Sequence, residues 1–166
     1  MVSKLPVIFS SCARPGFIAF LSFGLLLATF IMEYVFHIPV CQMCRLERYP
    51  YWVGTILATL MSLFVLGPAS IKILKHLLIL NFVTGLGLSL YHVGLEYNLF
   101  DLPSFCQPPK ISAHSVEALK AQLLNQPLMV PCNIVGLRIF FLSLAEWNAI
   151  VSAFLTGLSW ILLKKK

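Results

Sequence analysis

Four long apolar stretches dominate the pattern of the chain, and short polar or proline-rich intervals separate them. The stretches run approximately over residues 17–36, 51–66, 73–92 and 143–163. A helix needs roughly 17 to 25 residues to cross about 30 Å of bilayer hydrocarbon. The pattern therefore predicts four transmembrane helices, of which the second is the shortest.

The intervals predict how these helices are connected. Residues 37–50 and 93–142 form two loops on one side of the membrane, and a short turn around Gly67-Pro68 makes the second and third helices an antiparallel hairpin. Within the longer loop, Ser112 to Gln126 carries a helical stripe of apolar residues, which favours a short helix lying along the membrane surface. We expect an all-α integral membrane protein, a four-transmembrane-helix bundle, with residues 1–166 as a single membrane domain.

Composition agrees with a lipid environment. Hydrophobic residues make up 59% of the chain and charged residues 11%, and the mean hydropathy is +0.89. This excludes an ordinary water-soluble domain, because a core of this size cannot hide so much apolar surface. The first stretch is too long for the apolar core of a signal peptide and lacks a small-x-small cleavage site after it, so we interpret it as a retained span.

The basic residues predict the orientation in the membrane. Most lie on one side of the predicted helices, where cytoplasmic loops concentrate Lys and Arg: Lys4, Arg14, Lys72, Lys75 and Lys164 to Lys166. Both termini are then cytoplasmic and both long loops face outward. The net charge of +6 is explained by this orientation, so no nucleic acid partner is expected.

The five cysteines divide between the two sides. Cys41, Cys44, Cys106 and Cys132 lie in the outer loops, whereas Cys12 lies on the cytoplasmic side. An even number of cysteines facing the oxidising compartment is what disulfide formation requires. We therefore expect the outer four to form disulfides and Cys12 to be a bystander.

The segment Pro39 to Trp52 carries the candidate chemistry. Two residues separate Cys41 from Cys44, Arg48 is the fourth residue after Cys44, and a nearby guanidinium favours a thiolate. If the segment is helical, Arg48 lies one turn from Cys44 and lowers its pKa. Zinc sites use the same C-x-x-C spacing, but Cys106 and Cys132 are too far apart for a zinc knuckle, which favours disulfide chemistry.

Ionisable residues in and next to the predicted spans collect toward the outer side. Glu33, His92, Glu96 and Glu146 lie there, while the inner halves of the spans are almost free of such groups. This asymmetry argues against an ion path across the membrane and favours a site near its outer face. A carboxylate at Glu33 should face the bundle or the interface, because exposure to lipid is costly.

Together these features resemble the DsbB family of bacterial, quinone-dependent, disulfide-generating membrane enzymes. The resemblance rests on four spans with cytoplasmic termini, the pattern Cys41-x-x-Cys44-x-x-x-Arg48, and a proline-rich outer loop holding Cys106 and Cys132. It also includes Tyr91-His92 at the outer end of the third span and Trp147-Asn148 near the start of the fourth. It covers nearly the whole chain.

The resemblance implies a location, partners and an electron acceptor. The protein would lie in the bacterial inner membrane with its active cysteines in the periplasm, and would oxidise a thioredoxin-fold carrier resembling DsbA. Its electrons would pass to the membrane quinone pool, either ubiquinone or menaquinone. No metal ligand is expected.

The resemblance also implies roles for individual residues. The disulfides would be Cys41–Cys44 and Cys106–Cys132. The carrier would attack Cys106, Cys132 would relay the oxidation state to Cys41, and Cys44 would be released as a thiolate facing the quinone. Arg48 would hold the quinone, unless it is only an interfacial anchor, and His92 would be either a quinone-pocket residue or a structural histidine.

Two alternatives remain at this stage. A vitamin K epoxide reductase-like protein also joins thiols to quinones in a four-helix bundle, but the position of the C-x-x-C between the first two spans disfavours it. The second alternative is a non-enzymatic membrane metal-binding protein that uses the outer thiols. Bound metal without quinone would favour that alternative.

Overall fold

The computed structural model describes residues 5–64, 67–107, 115–117, 120 and 130–164. Four long helices account for most of this part of the chain: α1 Leu5–Tyr34, α3 Arg48–Leu63, α4 Pro68–Glu96 and α5 Leu144–Lys164. Each overlaps one of the predicted spans. A short helix, α2 Gln42–Leu46, precedes α3 and carries the C-x-x-C segment.

Helix α3 begins earlier than the apolar pattern indicates. The pattern places its start near Tyr51, but the helix starts at Arg48 and contains Pro50 as its third residue. A proline is tolerated there because the N–H groups of a helix's first turn have no intrahelical partner. Glu47 joins α2 to α3 in a helical backbone conformation, so Cys44 and Arg48 lie on nearly continuous helix.

The four long helices pack in a ring. Helix α1 lies against α3, α3 against α4, α4 against α5, and α5 against α1. A buried apolar core runs between them and includes Ile18, Leu26, Ala58, Phe82 and Leu155. The outward faces are apolar as well, with exposed side chains such as Phe20, Ile56, Leu80 and Phe154.

Two helices among the described residues are long and apolar enough to cross a membrane. They are Arg14–Tyr34 and Pro68–Glu96. Their apolar outward faces have no core to cover them, which is what a helix surrounded by lipid shows.

Helices α3 and α4 approach closely beneath the C-x-x-C segment. A Cβ atom at Gly85 would lie 3.0 Å from the Cβ of Pro50, and the Asn81 side chain donates a hydrogen bond of 2.7 Å to the Pro50 carbonyl. These contacts fix the beginning of α3 against the middle of α4. By contrast, a Cβ atom at Gly87 would have no neighbouring atom within 4 Å, so this glycine serves no such approach.

A small β-hairpin precedes α5 and is absent from the all-α prediction. Strand β1, Arg138–Ile139, pairs antiparallel with β2, Leu142–Ser143. The turn residues Phe140 and Phe141 both have positive φ, 49° and 69°. Such turns usually carry Asn-Gly, so the Phe-Phe pair gives no turn signal in the sequence.

The longer predicted loop is described at its two ends and, between them, at residues 115–117 and 120. A 3₁₀ turn, Ser104–Cys106, follows α4, and the chain is described without a gap from residue 130 to residue 164. The predicted surface helix at 112–126 lies almost wholly outside the described residues and stays a prediction. We call the end of the helix ring that carries α2, the 3₁₀ turn and the hairpin the cysteine end.

Candidate active site

Cys41 and Cys44 flank the first turn of α2. Cys41 is the N-cap residue, and its sulfur accepts a hydrogen bond of 3.3 Å from the backbone N–H of Cys44. The two sulfur atoms are 3.1 Å apart and not bonded to each other. The structure thus brings the predicted pair together as two thiols, and the Cys41–Cys44 disulfide stays a prediction.

The two thiols differ in acidity. The side-chain hydrogen bond with Cys44, together with the hydrogen bond and charge of His92, lowers the pKa of Cys41 to about 4, against the opposing effect of burial. The bond shared with Cys41, and burial, raise the pKa of Cys44. In the reduced pair the negative charge therefore resides on Cys41, and Cys44 keeps its proton.

The expectation that Arg48 lowers the pKa of Cys44 is wrong for this arrangement. The Arg48 guanidinium forms an ion pair with Glu33 of α1 and lies 4.9 Å from the centre of the Phe30 ring. Arg45 contacts the same carboxylate at 3.3 Å. Glu33 therefore faces the protein, as its position in an apolar helix requires. Its carboxylate offsets much of the positive charge of Arg48.

Arg48 nevertheless shares a cavity with Cys44. The cavity has a volume of about 100 Å³ and lies between α1, α3 and α5. Its polar lining residues are Thr29, Cys44, Glu47, Arg48, Tyr51 and Asn148, and the others are apolar: Met32, Ile38, Val40 and Leu144. An apolar chamber with a thiol and a cationic donor in its wall is thus present beside Cys44.

His92 lies on the other side of the cysteine pair. Its Nε2 atom is 3.4 Å from Cys41 Sγ, and its Nδ1 atom is 2.9 Å from Glu47 Oε1. It borders a second, smaller cavity together with Cys41, Cys44 and Glu96. The structure therefore separates the two predicted quinone residues, placing Arg48 beside Cys44 and His92 beside Cys41.

Cys106 and Cys132 are joined by a disulfide across the longer loop. Both are almost fully buried, with 2% and 1% of their surface exposed. They belong to the same buried cluster as Cys41, Met43 and Leu95, and Cys44 borders this cluster. All four predicted active cysteines therefore meet at the cysteine end, with the loop pair on the Cys41 side.

Several residues of the site were not singled out from the sequence. Glu47, whose place between Arg45 and Arg48 gave no signal of a buried role, is buried and bonded to His92. Tyr51 was not singled out either, and its hydroxyl donates to Oδ1 of Asn148, a residue that the sequence did mark. Asn148 Nδ2 in turn donates to Ser89 Oγ at 2.8 Å. The signal available was the placement of polar side chains inside apolar spans, which predicts a buried network without naming its partners.

Comparison with known proteins agrees with this arrangement. The family described as "Disulfide bond formation protein DsbB" matches residues 14–162, nearly the whole chain. The chain belongs to the DsbB family. DsbB proteins are helical membrane oxidoreductases that form disulfides, and this protein is accordingly a membrane protein of that class.

Similarity to individual proteins is weaker. A protein of Rickettsia prowazekii (strain Madrid E), named "Uncharacterized protein RP370", is 28% identical over 131 residues, which cover 74% of this chain and 70% of that protein. No solved structure matches the chain. The membership in the DsbB family therefore rests on the family match.

Proposed function

We propose that this DsbB-family protein is a thiol:quinone oxidoreductase that reoxidises a DsbA-like dithiol carrier and passes the electrons to a membrane quinone. One observation carries the proposal. The C-x-x-C pair lies between two different environments, with Cys41 packed in the cluster of the loop disulfide and Cys44 opening into the cavity of Arg48. Such a pair can receive electrons on one side and release them on the other.

The proposed topology follows from the ring of helices. Helices α1, α3, α4 and α5 would each cross the bacterial inner membrane, residues 1–166 forming one membrane domain with both termini in the cytoplasm. The apolar outward faces of these helices and the positions of Lys and Arg support this orientation. The cysteine end then faces the periplasm, where the carrier works.

Electrons move through thiol–disulfide exchange in this proposal. The carrier's dithiol reduces the Cys106–Cys132 disulfide and becomes a disulfide itself. The loop dithiol then reduces the Cys41–Cys44 disulfide by attack at Cys41, so that Cys44 is released on the cavity side. Finally the Cys41–Cys44 dithiol gives two electrons and two protons to one quinone, which becomes a hydroquinone.

The residues of the cavity beside Cys44 fit a quinone head group. Its ring would meet the aliphatic wall, and one carbonyl oxygen would accept a hydrogen bond from Arg48. The ion pair with Glu33 engages Nη1 of Arg48, and a guanidinium carries five N–H donors in all. A bound quinone would supply the two-electron acceptor that thiols alone lack.

Replacing Arg48 tests the quinone side of the proposal. Removing a hydrogen bond from a charged donor costs about 1.5 to 3 kcal/mol, so Arg48→Gln should raise the KM for quinone by roughly tenfold or more. The KM for the reduced carrier should stay within about twofold. Steady-state kinetics with a soluble quinone measures both values.

Arg45→Gln is the matched control, because Arg45 contacts the same Glu33 carboxylate but does not line the cavity. Its quinone KM should resemble that of the parent. Equal effects of the two substitutions on both KM values would make Arg48 a general structural residue and would remove it from the quinone site.

A metal-binding function is the second candidate. One donor atom each from Cys41, Cys44 and His92 lies within 4.8 Å of the others, which is the observation that favours it. Zinc or copper that co-purifies with the protein, together with no quinone reduction, would support this alternative and contradict the oxidoreductase proposal.

A further inference from the structure

The imidazole of His92 lies between a sulfur atom and a carboxylate, and all three groups are buried. Only 2% of His92 and 6% each of Cys41 and Glu47 is exposed. Nε2 is 3.4 Å from Cys41 Sγ, and Nδ1 is 2.9 Å from Glu47 Oε1. The three residues come from separate elements: the N-cap of α2, the end of α4, and the junction of α2 and α3.

The carboxylate determines how the imidazole can be used. Because Glu47 can only accept a hydrogen bond when ionised, Nδ1 carries the proton and donates it. Nε2 then faces the Cys41 thiol and can take its proton. Once it has done so, the imidazolium lies between two anionic partners, which compensates for burying its charge.

We propose that His92 acts as the base for Cys41, and that Glu47 is a positioning residue that holds the imidazole in the required tautomer. This inference rests on the proposed thiol:quinone function, because it assigns a role within that reaction. It assigns His92 a role at the Cys41 sulfur rather than at the quinone. The arrangement follows the logic of a nucleophile, a base and an orienting carboxylate.

Protons and electrons balance in this step. His92 Nε2 removes the proton from Cys41, leaving a thiolate whose sulfur forms the new bond to Cys44 Sγ. Closing that bond releases two electrons, which the quinone accepts. The proton held on His92 and the proton of Cys44 complete the hydroquinone, and His92 returns to its neutral form.

Other polar groups near Cys41 give the experiment its control. The Cys44 thiol and backbone N–H contact the same sulfur. Glu96 borders the small cavity beside Cys41 and His92. Glu33, by contrast, forms ion pairs with Arg45 and Arg48. Glu96→Gln therefore removes a neighbouring carboxylate without removing the proposed one.

The test uses a full-length Cys12→Ala, Cys44→Ser background, in which Cys41 is the free thiol and the loop disulfide is intact. Thiolate ultraviolet absorbance at neutral pH should be present in this protein and lost in His92→Gln. The rate of alkylation by iodoacetamide should fall by roughly tenfold or more, the scale of a lost general base. Glu47→Gln should lower the rate by less, Glu47→Asp should restore part of it, and Glu96→Gln should stay near the parent.

Retained thiolate absorbance in His92→Gln would overturn the proposal. So would equal effects of Glu47→Gln and Glu96→Gln. Thermal unfolding of each variant checks the fold, and the isosteric Glu47→Gln provides a second test if His92→Gln is unstable.

Steady-state kinetics of His92→Gln in the otherwise unchanged protein distinguishes a role at the Cys41 sulfur from a role at the quinone. The proposal predicts that His92→Gln lowers kcat and leaves the quinone KM near the parent value, whereas a raised quinone KM with unchanged thiolate would place His92 at the quinone. The absorbance and alkylation measurements need no quinone. A parent protein that fails to reduce quinone would therefore contradict the proposed function, while these measurements would still decide the role of His92.

Discussion

At the residue scale, the N-cap position of Cys41 determines how charge is shared within the cysteine pair. Its sulfur accepts a hydrogen bond from the Cys44 backbone N–H at the start of α2 and also lies within hydrogen-bonding distance of the Cys44 thiol and of His92 Nε2. A thiolate at a helix N-terminus is also favoured by the helix dipole. Cys44 has no comparable set of donors among the described residues, and its pKa is raised instead.

This difference predicts the titration of the reduced protein. Because the pKa of Cys41 is lowered to about 4, the thiolate should be present above that pH and should disappear as the pH falls through it. The thiolate absorbance of reduced Cys12→Ala protein should therefore persist well below the ordinary cysteine range of about 8.5. The same protein unfolded in denaturant is the control, and it should titrate in the ordinary range. A folded protein that loses its thiolate near the ordinary value would contradict the assignment.

Sequence reasoning at this scale found the cysteines and Arg48 but not their partners. The spacing from Cys44 to Arg48 correctly suggested that both face one region, and they line one cavity. It did not show that the Arg48 guanidinium forms an ion pair with Glu33, fifteen residues earlier in the chain. Contacts between distant residues such as His92 and Glu47 depend on how α4 packs against the α2–α3 junction, which no local pattern encodes.

At the scale of the helices, glycine positions allow α3 and α4 to approach beneath the site. A Cβ atom at Gly54 would lie 2.7 Å from Cζ of Phe82, and Phe82 is 1% exposed, so its ring has little room to move. Interiors packed at crystal-like density respond strongly to one added methyl group. The contact of α3 with α4 therefore depends on Gly54 as well as Gly85.

Gly54→Ala should destabilise the protein by about 1 to 3 kcal/mol, the usual cost of overpacking a core. Gly87→Ala is the control on α4, where a new Cβ meets open space, and it should be neutral or stabilising by up to about 1 kcal/mol through helix propensity. Thermal unfolding in detergent, followed by circular dichroism, compares them. Equal midpoints for the two variants would show that the α3–α4 contact does not have this geometry.

The apolar pattern predicted the positions of the helices better than their ends or the loops. Helices α1, α4 and α5 overlap the predicted spans because long apolar runs favour them, although α1 begins at Leu5 and α4 at Pro68, before the predicted starts. The start of α3 was misplaced because Pro50 fits any position of a first turn. The hairpin was missed because Phe140 and Phe141 adopt a backbone conformation that bulky residues rarely take.

At the scale of the whole molecule, the proposed electron path runs from one side of the cysteine end to the other. The loop disulfide lies beside Cys41, and the cavity lies beside Cys44. Because Cys106 and Cys132 are almost fully buried, a carrier thiol can reach them only after neighbouring groups are displaced. Hydropathy and charge alone led to the proposed four-span topology, but the arrangement of the two cysteine pairs required the folded chain.

The proposed orientation can be tested at two exposed positions. In a cysteine-free background, Phe141→Cys introduces a thiol where the side chain is 94% exposed at the cysteine end. Ala69→Cys introduces one at the exposed start of α4, at the opposite end. A membrane-impermeant maleimide should label Phe141→Cys in intact spheroplasts and Ala69→Cys only after permeabilisation. The reverse pattern would invert the topology and place the active cysteines in the cytoplasm.

The most direct test of the central claim is the consumption of a soluble quinone by the purified protein when it is given a reduced C-x-x-C carrier. The account predicts one quinone reduced per carrier dithiol oxidised, and no turnover by Cys44→Ala, while Cys12→Ala reacts like the parent. Carrier oxidation without quinone reduction, or equal quinone reduction by Cys44→Ala, would contradict a thiol:quinone oxidoreductase that works through Cys44.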